Sequence, residues 1–425
     1  MQNWNTEFFE KLYAKLSISL IENSHKQLFV MSSPGKFLPS GLNPNVKPED
    51  AAILSSIFDY APAFSWLEKQ KGRKISEVYN SILNCKESPV SSGISEQRAQ
   101  QLRDAERHYG DHIQEYQFYK YAYEAVQLEY LSAKATQENG GAKIPRNLMM
   151  RLDQAINKWI AKGQKNGMEL SLAIIKEYKL LDAAAFWKQA GEQFKNGQQT
   201  TNTGAVFQLT DFYPSYKYWF ENSGWSAFSF DQQDLDHQRK SELTRDLDPS
   251  FGLFNLSNKQ SDRNQQSFLK IAETAIKVEC QLTQVHIERN WLNPLVLSSR
   301  DWRMDKNSPE PDLSLSSGAD LEKGILPVGE MTLLPVSAII CKNLRVNGHF
   351  EKDVVQKINE EMERGVQAVG FGPFAIADKR YGQNQRVRGT ITNQVIEVAE
   401  EQIIGIICKV LPKMPNPNPE LPWKK

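Results

Sequence analysis

The sequence has little of what zinc modules and disulfide scaffolds are built from. Only four cysteines occur in 425 residues, at Cys85, Cys280, Cys341 and Cys408, and no two of them form a CxxC pair. This spacing excludes a zinc module and a disulfide framework, and it favours a reducing compartment. The last three lie in apolar, strand-like runs, where a free cysteine behaves as a small hydrophobic residue.

Long hydrophobic runs and a secretory signal are also missing. The longest apolar runs, 334–341 and 403–408, are far shorter than the roughly 20 residues that a membrane-spanning helix needs. The N-terminal stretch MQNWNTEFFEKLYAKL lacks a basic segment followed by an apolar core, so it does not resemble a signal peptide. We therefore expect a cytoplasmic protein without transmembrane segments.

Neither sign of charge is in excess, because 51 lysines and arginines balance 51 aspartates and glutamates. A neutral chain has no global field that attracts nucleic acid or an acidic membrane, so a nucleic-acid partner is not expected. The sequence also lacks a GxSxG elbow, an HExxH helix and a complete P-loop. We predict a protein that is not an enzyme and that needs no cofactor.

What the sequence does have is a heptad repeat of tyrosines. From Leu102 a large residue returns every seven positions, at Tyr109, Tyr116, Tyr123 and Tyr130. A second column alternates with the first at spacings of three and four, and its members are Ala105, His112, Tyr119, Val126 and Ala133. This is the spacing of a coiled-coil seam, and it predicts one long helix that ends at the Asn-Gly-Gly break before Pro145.

The chain beyond Pro145 repeats in the same way. Its predicted seam consists of Met149, Leu152, Ile156, Trp159, Gly163, Asn166, Leu170, Ala173, Glu177, Leu180, Ala184, Trp187, Gly191 and Phe194. A connection of about seven residues makes two helices antiparallel neighbours. The sequence thus predicts a long antiparallel coiled-coil helical hairpin, 94–198, with Tyr123 near Gly163 to within one turn. Arms of about 45 residues reach roughly 65 Å, so we expect the hairpin to project as a rod.

The rest of the chain divides into three parts. Residues 1–93 predict a helical N-terminal region, in which the proline- and glycine-rich segment 32–50 is expected to be a loop. Residues 199–411 contain strand-length apolar runs and predict a β-rich α+β domain. Residues 412–425 carry five prolines and are expected to form an extended tail, either an arm that docks on a partner or a strap that lies on its own domain. The predicted fold class is multidomain α+β.

Two details of the β-rich part are specific enough to be checked. The run QIIGIICKVL, from residue 402, is apolar on both faces and is therefore expected to be a central strand. The apolar residues of the strand around 276–287 change parity at Thr283, which predicts a β-bulge or a strand break there.

A metal site is the first candidate for chemistry. Asp104, His108, His112 and Glu115 fall on one stripe of the first long helix, where side chains three and four residues apart converge. They would supply half of a metal site, and the second helix would have to supply the rest. The competing interpretation is a pair of hydrogen-bonded seam histidines, which we favour, so no metal is predicted.

Two further candidates lie in the β-rich part. A ligand platform of stacking rings is conceivable at Trp219, Trp225, Trp291 and Trp302, with packing between the hairpin and the β domain as the alternative. An anion, such as a phosphate, is the natural ligand of a basic loop formed by Lys379, Arg380, Arg386 and Arg388. The alternative for this loop is a solvated hairpin turn.

The hairpin carries the functional prediction. A two-helix rod buries only one stripe of each helix, so we predict a non-enzymatic interaction or self-assembly protein, with a protein partner or a second copy bound to the hairpin. The interaction residues would be Tyr109, Tyr116, Tyr123, Tyr130, Trp159 and Trp187. Two other classes stay open: a pore-forming or membrane-acting effector, and a β domain that binds a ligand or glycan.

Overall fold

The computed structural model describes residues 4–21, 27–68, 72–88, 96–138, 143–178, 183–221, 224–231, 254–257, 266–268, 276–319, 326–364, 368–421 and 423. Within these residues the protein is a mixture of helices and antiparallel sheets. The helices are α1 (Trp4–Leu20), α2 (Pro48–Phe58), α3 (Ile75–Cys85), α4 (Glu96–Glu138), α5 (Arg146–Ala161), α6 (Lys165–Tyr178), α7 (Ala183–Asn196) and α8 (Lys352–Arg364).

The strands of the described part form two larger sheets and two short ribbons. In chain order they are β1 (Gln27–Phe37), β2 (Lys86–Glu87), β3 (Gln198–Thr200), β4 (Val206–Gln208), β5 (Asp211–Tyr213), β6 (Ser226–Asp231), β7 (Phe254–Ser257), β8 (Gln266–Phe268), β9 (Lys277–Glu288), β10 (Arg303–Met304), β11 (Leu333–Asn347), β12 (Ala368–Phe371), β13 (Phe374–Lys379), β14 (Arg386–Arg388), β15 (Thr390–Ile391), β16 (Val395–Val398) and β17 (Gln402–Val410).

The main sheet has the order β1-β17-β11-β16-β15, and β9 joins it along the other side of β11. β5 and β6 pair in turn with β9, and a second sheet has the order β14-β13-β12-β7-β8. β17 lies between β1 and β11 and is buried along almost all of its length. This confirms the prediction of a central strand at QIIGIICKVL, because a strand with neighbours on both sides and cover on both faces needs apolar residues throughout.

Both faces of the main sheet are covered. One face packs against α1, α8 and the second sheet through side chains such as Phe9 and Ile339. The other face packs against α2 and the segment 212–220 through side chains such as Leu54 and Ile340. Neighbouring residues of β11 therefore point into different clusters, as the alternation of a strand requires.

The change of apolar parity within β9 needs no bulge. β9 pairs with β11 without a shift from Gln281 to His286. Leu282 belongs to the cluster on one face of the sheet, and Val285 belongs to the cluster on the other. The predicted bulge at Thr283 is wrong, because the covered face changes along an unbroken strand.

The N-terminal region is not purely helical. Part of the segment 32–50, which was expected to be a loop, is the end of β1, and β1 pairs antiparallel with β17. The pairing shifts between Met31 and Lys36. A Cβ at Gly35 would lie 2.9 Å from the carbonyl oxygen of Ile403, so the close approach of the two strands requires a glycine there.

The returning arm of the predicted hairpin is interrupted. α4 is one helix of 43 residues, whereas the chain that returns beside it forms α5, α6 and α7. Residues 139–142 and 179–182 lie outside the described residues. The break between α5 and α6 is at Gln164, which has a φ of 48° and so cannot continue a right-handed helix. The prediction of one continuous second helix is therefore wrong.

The break also changes which side of the returning chain faces α4. In α6 the buried residues are Met168, Ser171 and Ile175, spaced as one helical stripe. Leu170 and Ala173, two predicted seam residues, are exposed instead. A seam counted without interruption through Gln164 is therefore wrong beyond the break, because the left-handed residue rotates the helix that follows it.

α7 packs against the body of the protein and not along α4. Trp187 packs edge-on against Trp302 at 6.1 Å between ring centroids, and Phe194 packs against Trp291 at 5.8 Å. These residues form a third cluster with α3. Trp187 is therefore a core residue between α7 and the body of the protein, and the predicted seam with α4 does not reach it.

The proline-rich tail lies on the body of the protein. The backbone amides of Leu315 and Ser316 donate to the carbonyl oxygen of Met414. The backbone amide of Asn418 donates to the carbonyl oxygen of Arg300 at 2.7 Å. The ring of Trp423 lies 5.0 Å from the Arg303 guanidinium. Of the two interpretations of an extended tail, an arm and a strap, the contacts of its described residues are those of a strap.

Candidate functional site

α4 meets the rest of the protein on two of its three sides. Along the first side, the seam, it packs antiparallel against α5 and α6. The side chains of Glu129 and Arg151 form an ion pair at 2.7 Å, and Tyr123 stacks on Trp159 with ring centroids 5.5 Å apart. A Cβ at Gly163 would lie 3.1 Å from the Cβ of Tyr119, one turn from the expected neighbour Tyr123. We call α4, α5 and α6 the helix pair.

The tyrosine column lines the seam. Tyr109, Tyr116, Tyr123 and Tyr130 are all half-buried, and Tyr116 and Tyr123 both contact Trp159. Burial raises the pKa of Tyr109 and of Tyr116 to about 12, so their hydroxyl groups stay protonated near neutral pH. With Trp159 only 9% exposed, these rings are already packed against one another, and they offer a partner little free surface.

The two seam histidines share one glutamine. Gln164 Oε1 lies 3.2 Å from His108 Nε2, and Gln164 Nε2 lies 3.0 Å from His112 Nδ1. The other ring nitrogen of His108, Nδ1, lies 3.0 Å from Ser171 Oγ. Asp104 and Glu115, the other two metal candidates, are exposed. Among the described residues no group of three or more His, Cys, Asp or Glu side chains is placed to hold a metal ion.

The second side of α4, its sheet side, docks on β9. Gln117 Nε2 donates to Glu288 Oε1 at 2.7 Å, and the Tyr121 hydroxyl donates to the other oxygen of the same carboxylate. The ring of Tyr121 stacks on His286 and Tyr213 at centroid distances of 4.5 and 5.0 Å. α4 therefore lies on the main sheet, and the expectation of a rod that projects from the body is wrong, because these polar and stacked side chains hold α4 against β9.

A cleft of about 440 Å³ opens between α4 and β9 beside these contacts. Nδ1 of its one buried histidine, His286, lies 3.1 Å from the Ser337 hydroxyl and 3.5 Å from the Glu124 carboxylate. In a Ser-His-acid triad the serine and the acid occupy different ring nitrogens, so this arrangement is not one. Burial and the nearby Lys120 ammonium lower the pKa of His286 to about 3, which leaves a weak base.

The third side of α4 is open. Phe118 lies on it with 59% of its surface exposed, and Leu170 on α6 is 62% exposed. Large exposed hydrophobic residues are concentrated on the helix pair, which holds five of the eleven in the described part of the chain: Phe118, Met149, Met150, Ile160 and Leu170. Single exposed apolar residues are ordinary, and only those that share one side of the pair can belong to one interaction surface.

Phe118 and Leu170 belong to the same flank of the helix pair. On α4, Phe118 shares a stripe with Glu129, eleven residues away, and Glu129 pairs with Arg151 across the seam. On α5, Arg151 shares a stripe with Lys158, so the residue just before the seam residue Trp159 lies on this flank. α6 runs in the same direction as α5, so the residue just before a seam residue of α6 lies on the same flank. Leu170 is in that position. We call this surface the outer flank.

Three of the four candidate platform tryptophans are buried. Trp219, Trp291 and Trp302 are at most 1% exposed, and Trp225 is half-buried with the Lys342 ammonium 4.2 Å from its ring. A stacking platform needs an open ring face, so these residues do not form one. Trp302 and Trp291 pack against Trp187 and Phe194 of α7, whereas Trp219 packs against Phe212 and Tyr216.

The basic loop does not converge on one point. Arg380 is 9% exposed and donates to the carbonyl oxygen of Leu38 at 3.1 Å, so it is a core residue of the loop. Lys379 and Arg386 are cross-strand neighbours of β13 and β14, and Arg388 lies two residues further along the exposed face. With its buried member turned inward, the predicted set of four cations does not surround an anion.

No helix among the described residues has both the length and the apolar character needed to cross a membrane.

Comparisons with known proteins add no relative to this description. No family model matches the sequence, and neither a curated protein nor a solved structure matches the chain.

Proposed function

We propose that this chain is a non-enzymatic interaction protein that binds a protein partner through the outer flank of its helix pair. In this proposal α4, α5 and α6 act together as an antiparallel helical hairpin, with α5 and α6 as its returning arm. The observation that carries the proposal is the exposure of Phe118 and Leu170 on a side of the hairpin that neither the seam nor the sheet occupies.

The energetics favour a covered flank. Burying one large hydrophobic side chain contributes about 1.5–3 kcal/mol, so covering Phe118 and Leu170 together supplies a useful part of a binding free energy. Fully buried aromatic residues near the centre of an interface typically contribute most of its affinity. Phe118 has this position on α4, with exposed residues on both sides of it along the stripe.

The sheet side of α4 supports the same function by holding the flank in place. Gln117 and Tyr121 both donate to Glu288, and Tyr121 is stacked between side chains of the sheet. A surface fixed in this way loses little conformational entropy when a partner binds. The polar cluster at β9 therefore has a positioning role in this proposal.

Hydroxyl-radical footprinting tests the proposal. The oxidation of Phe118 and Leu170 is compared between dilute purified protein and the same protein in an extract of the cells that express it. We expect several-fold protection of both residues in the extract, because a partner covers the outer flank there.

Two control residues fix the interpretation of this experiment. Met149 is exposed beside the buried Leu148, so it lies outside the seam that its spacing predicted and on the other flank of the helix pair. Tyr218 lies outside the pair and is also exposed. Their oxidation should be unchanged in the extract. Equal oxidation of Phe118 and Leu170 in the two samples would overturn the proposal.

A further inference from the structure

The outer flank carries opposite charges on its two sides. On α4 the stripe that contains Phe118 has two exposed acids, Glu115 and Asp111, one and two turns before it, and the exposed Arg107 one turn further pairs with Asp104. On α5 the stripe beside the seam ends with two exposed bases, Lys158 and Lys162. No ion pair is recorded for these two acids or these two bases within the described part of the chain, in contrast to Arg151, which pairs with Glu129.

The apolar residues of the flank occupy a definite level along the pair. Glu129 lies opposite Arg151, and His108 lies opposite Ser171. Counting inward from these contacts puts Phe118 level with Lys162, and Glu115 stands three residues, or about 4.5 Å, from the same level.

We infer that the partner of the outer flank is a second copy of this chain. The inference rests on the proposed function, and it specifies a two-fold axis that runs parallel to α4 between the two flanks. This axis places α4 of one copy against α5 and α6 of the other, as antiparallel neighbours in a four-helix bundle. The acids of α4 in each copy then face the basic side of α5 in the other copy, and Glu115 of one copy stands within one helical turn of the level of Lys162 in the other.

The size of the flank fits this arrangement. α5 and α6 contain 16 and 14 residues. At about 1.5 Å per residue and about 10 Å per helix, a flank two helices wide is about 20 Å by 45 Å, close to the roughly 800 Å² per partner of a stable interface. The chain as a whole is neutral, so two copies do not repel each other at long range.

Charge reversal provides the decisive experiment. Sedimentation velocity of the purified full chain over a concentration series measures the dimer dissociation constant. Glu115→Lys and Lys162→Glu should each weaken the dimer at least about tenfold, because each variant places like charges opposite each other twice in a symmetric dimer. An equimolar mixture of the two variants should restore the affinity, since both contacts of the mixed dimer are again between opposite charges.

Controls separate the interface from the fold. Val328→Asp changes a residue that is 74% exposed outside the helix pair, and it should leave the dissociation constant unchanged. Circular dichroism of each variant should match the parent chain. Raising the salt concentration should weaken the parent dimer, because exposed charge pairs are screened.

The possible outcomes distinguish the inference from the function on which it rests. A parent chain that stays monomeric up to about 100 µM, or a mixture of variants that fails to restore the dimer, overturns the inference. If the footprint in the extract persists in that case, the outer flank binds a different protein and the proposed function stands. If the footprint is absent as well, both are wrong.

Discussion

α4 and the helices that return beside it share one seam but are built differently. α4 is a single helix, and its one glycine, Gly110, is at an exposed position. The returning chain has Gly163 and Gly167 on either side of the left-handed residue Gln164, and one helix ends and another begins there. Apolar residues recur at spacings of three and four in both arms, so this spacing does not determine whether a helix continues.

The break in the returning arm has a structural consequence for the seam. It ends α5 close to Trp159 and turns the Gln164 side chain toward α4, where its amide reaches both His108 and His112. A continuous helix could not place the same amide between the two imidazoles. The straight arm therefore supplies stacked rings and regular spacing, and the broken arm supplies the polar contact that satisfies the histidines of its partner.

The first prediction tests the contact between the two arms at Gly163. A Cβ there would lie 2.8 Å from the carbonyl oxygen of Trp159 and 3.1 Å from the Cβ of Tyr119. We expect Gly163→Ala to lower the free energy of unfolding by about 3 kcal/mol, because neither backbone nor a Cβ can move away cheaply. Urea denaturation followed by circular dichroism measures the effect.

The matched control for this prediction is Gly191→Ala in α7. A Cβ at Gly191 has no atom within 4 Å, and alanine favours a helix over glycine by about 1 kcal/mol, so this variant should be neutral or slightly more stable. Equal urea midpoints for Gly163→Ala and the parent chain would show that α5 and α4 do not meet closely.

The straight arm and the central strand could be predicted from the sequence, and the break could not. A heptad of tyrosines and an apolar run such as 402–408 are local patterns, and each predicts the same environment for all of its residues. At Gln164 the spacing of apolar residues continues on both sides, and only the two nearby glycines signal an interruption. The absence of a bulge at Thr283 has the same kind of cause, since the covered face of β9 depends on α2, which is distant in the sequence.

The candidate surface was missed for a related reason. Phe118 stands outside both predicted columns of α4, in a stripe that is otherwise polar or small, and that isolation was a signal that sequence reasoning could have used. The tyrosines were singled out instead, although a regular column is the mark of a buried seam. Which remaining side of α4 is open depends on the docking of Gln117 and Tyr121 on β9, and no local pattern reveals that contact.

The second prediction concerns the pH dependence of stability and tests the sheet side of α4, where His286 lies. The pKa of His286 is lowered from 6.5 to about 3, by burial first and by Lys120 second. The folded state therefore prefers the neutral imidazole. The contribution of the neutral imidazole to the free energy of unfolding is complete above about pH 6.5. It is lost progressively as the pH falls toward 3, and the free energy of unfolding then falls by at most about 1.4 kcal/mol per pH unit.

The variant His286→Asn isolates this contribution, because an asparagine can still accept the Ser337 hydroxyl but does not titrate. We expect the free energy of unfolding of the parent chain to fall more steeply than that of the variant between pH 6.5 and pH 5. Urea denaturation at each pH measures both slopes. Parallel curves would mean that His286 is solvated, and that α4 does not cover it.

The third and smallest prediction returns to Gly110 in the straight arm. Since a Cβ there meets no atom within 4 Å, Gly110→Ala should raise the free energy of unfolding of the monomer by about 1 kcal/mol through helix propensity alone. The reverse change, Ala122→Gly, is at another exposed position of α4 and should lower it by a similar amount. The double variant should match the parent chain, because the two sites are too far apart to interact. If Gly110→Ala is instead destabilising in dilute protein, something occupies the space above Gly110, and α4 is not open at that position.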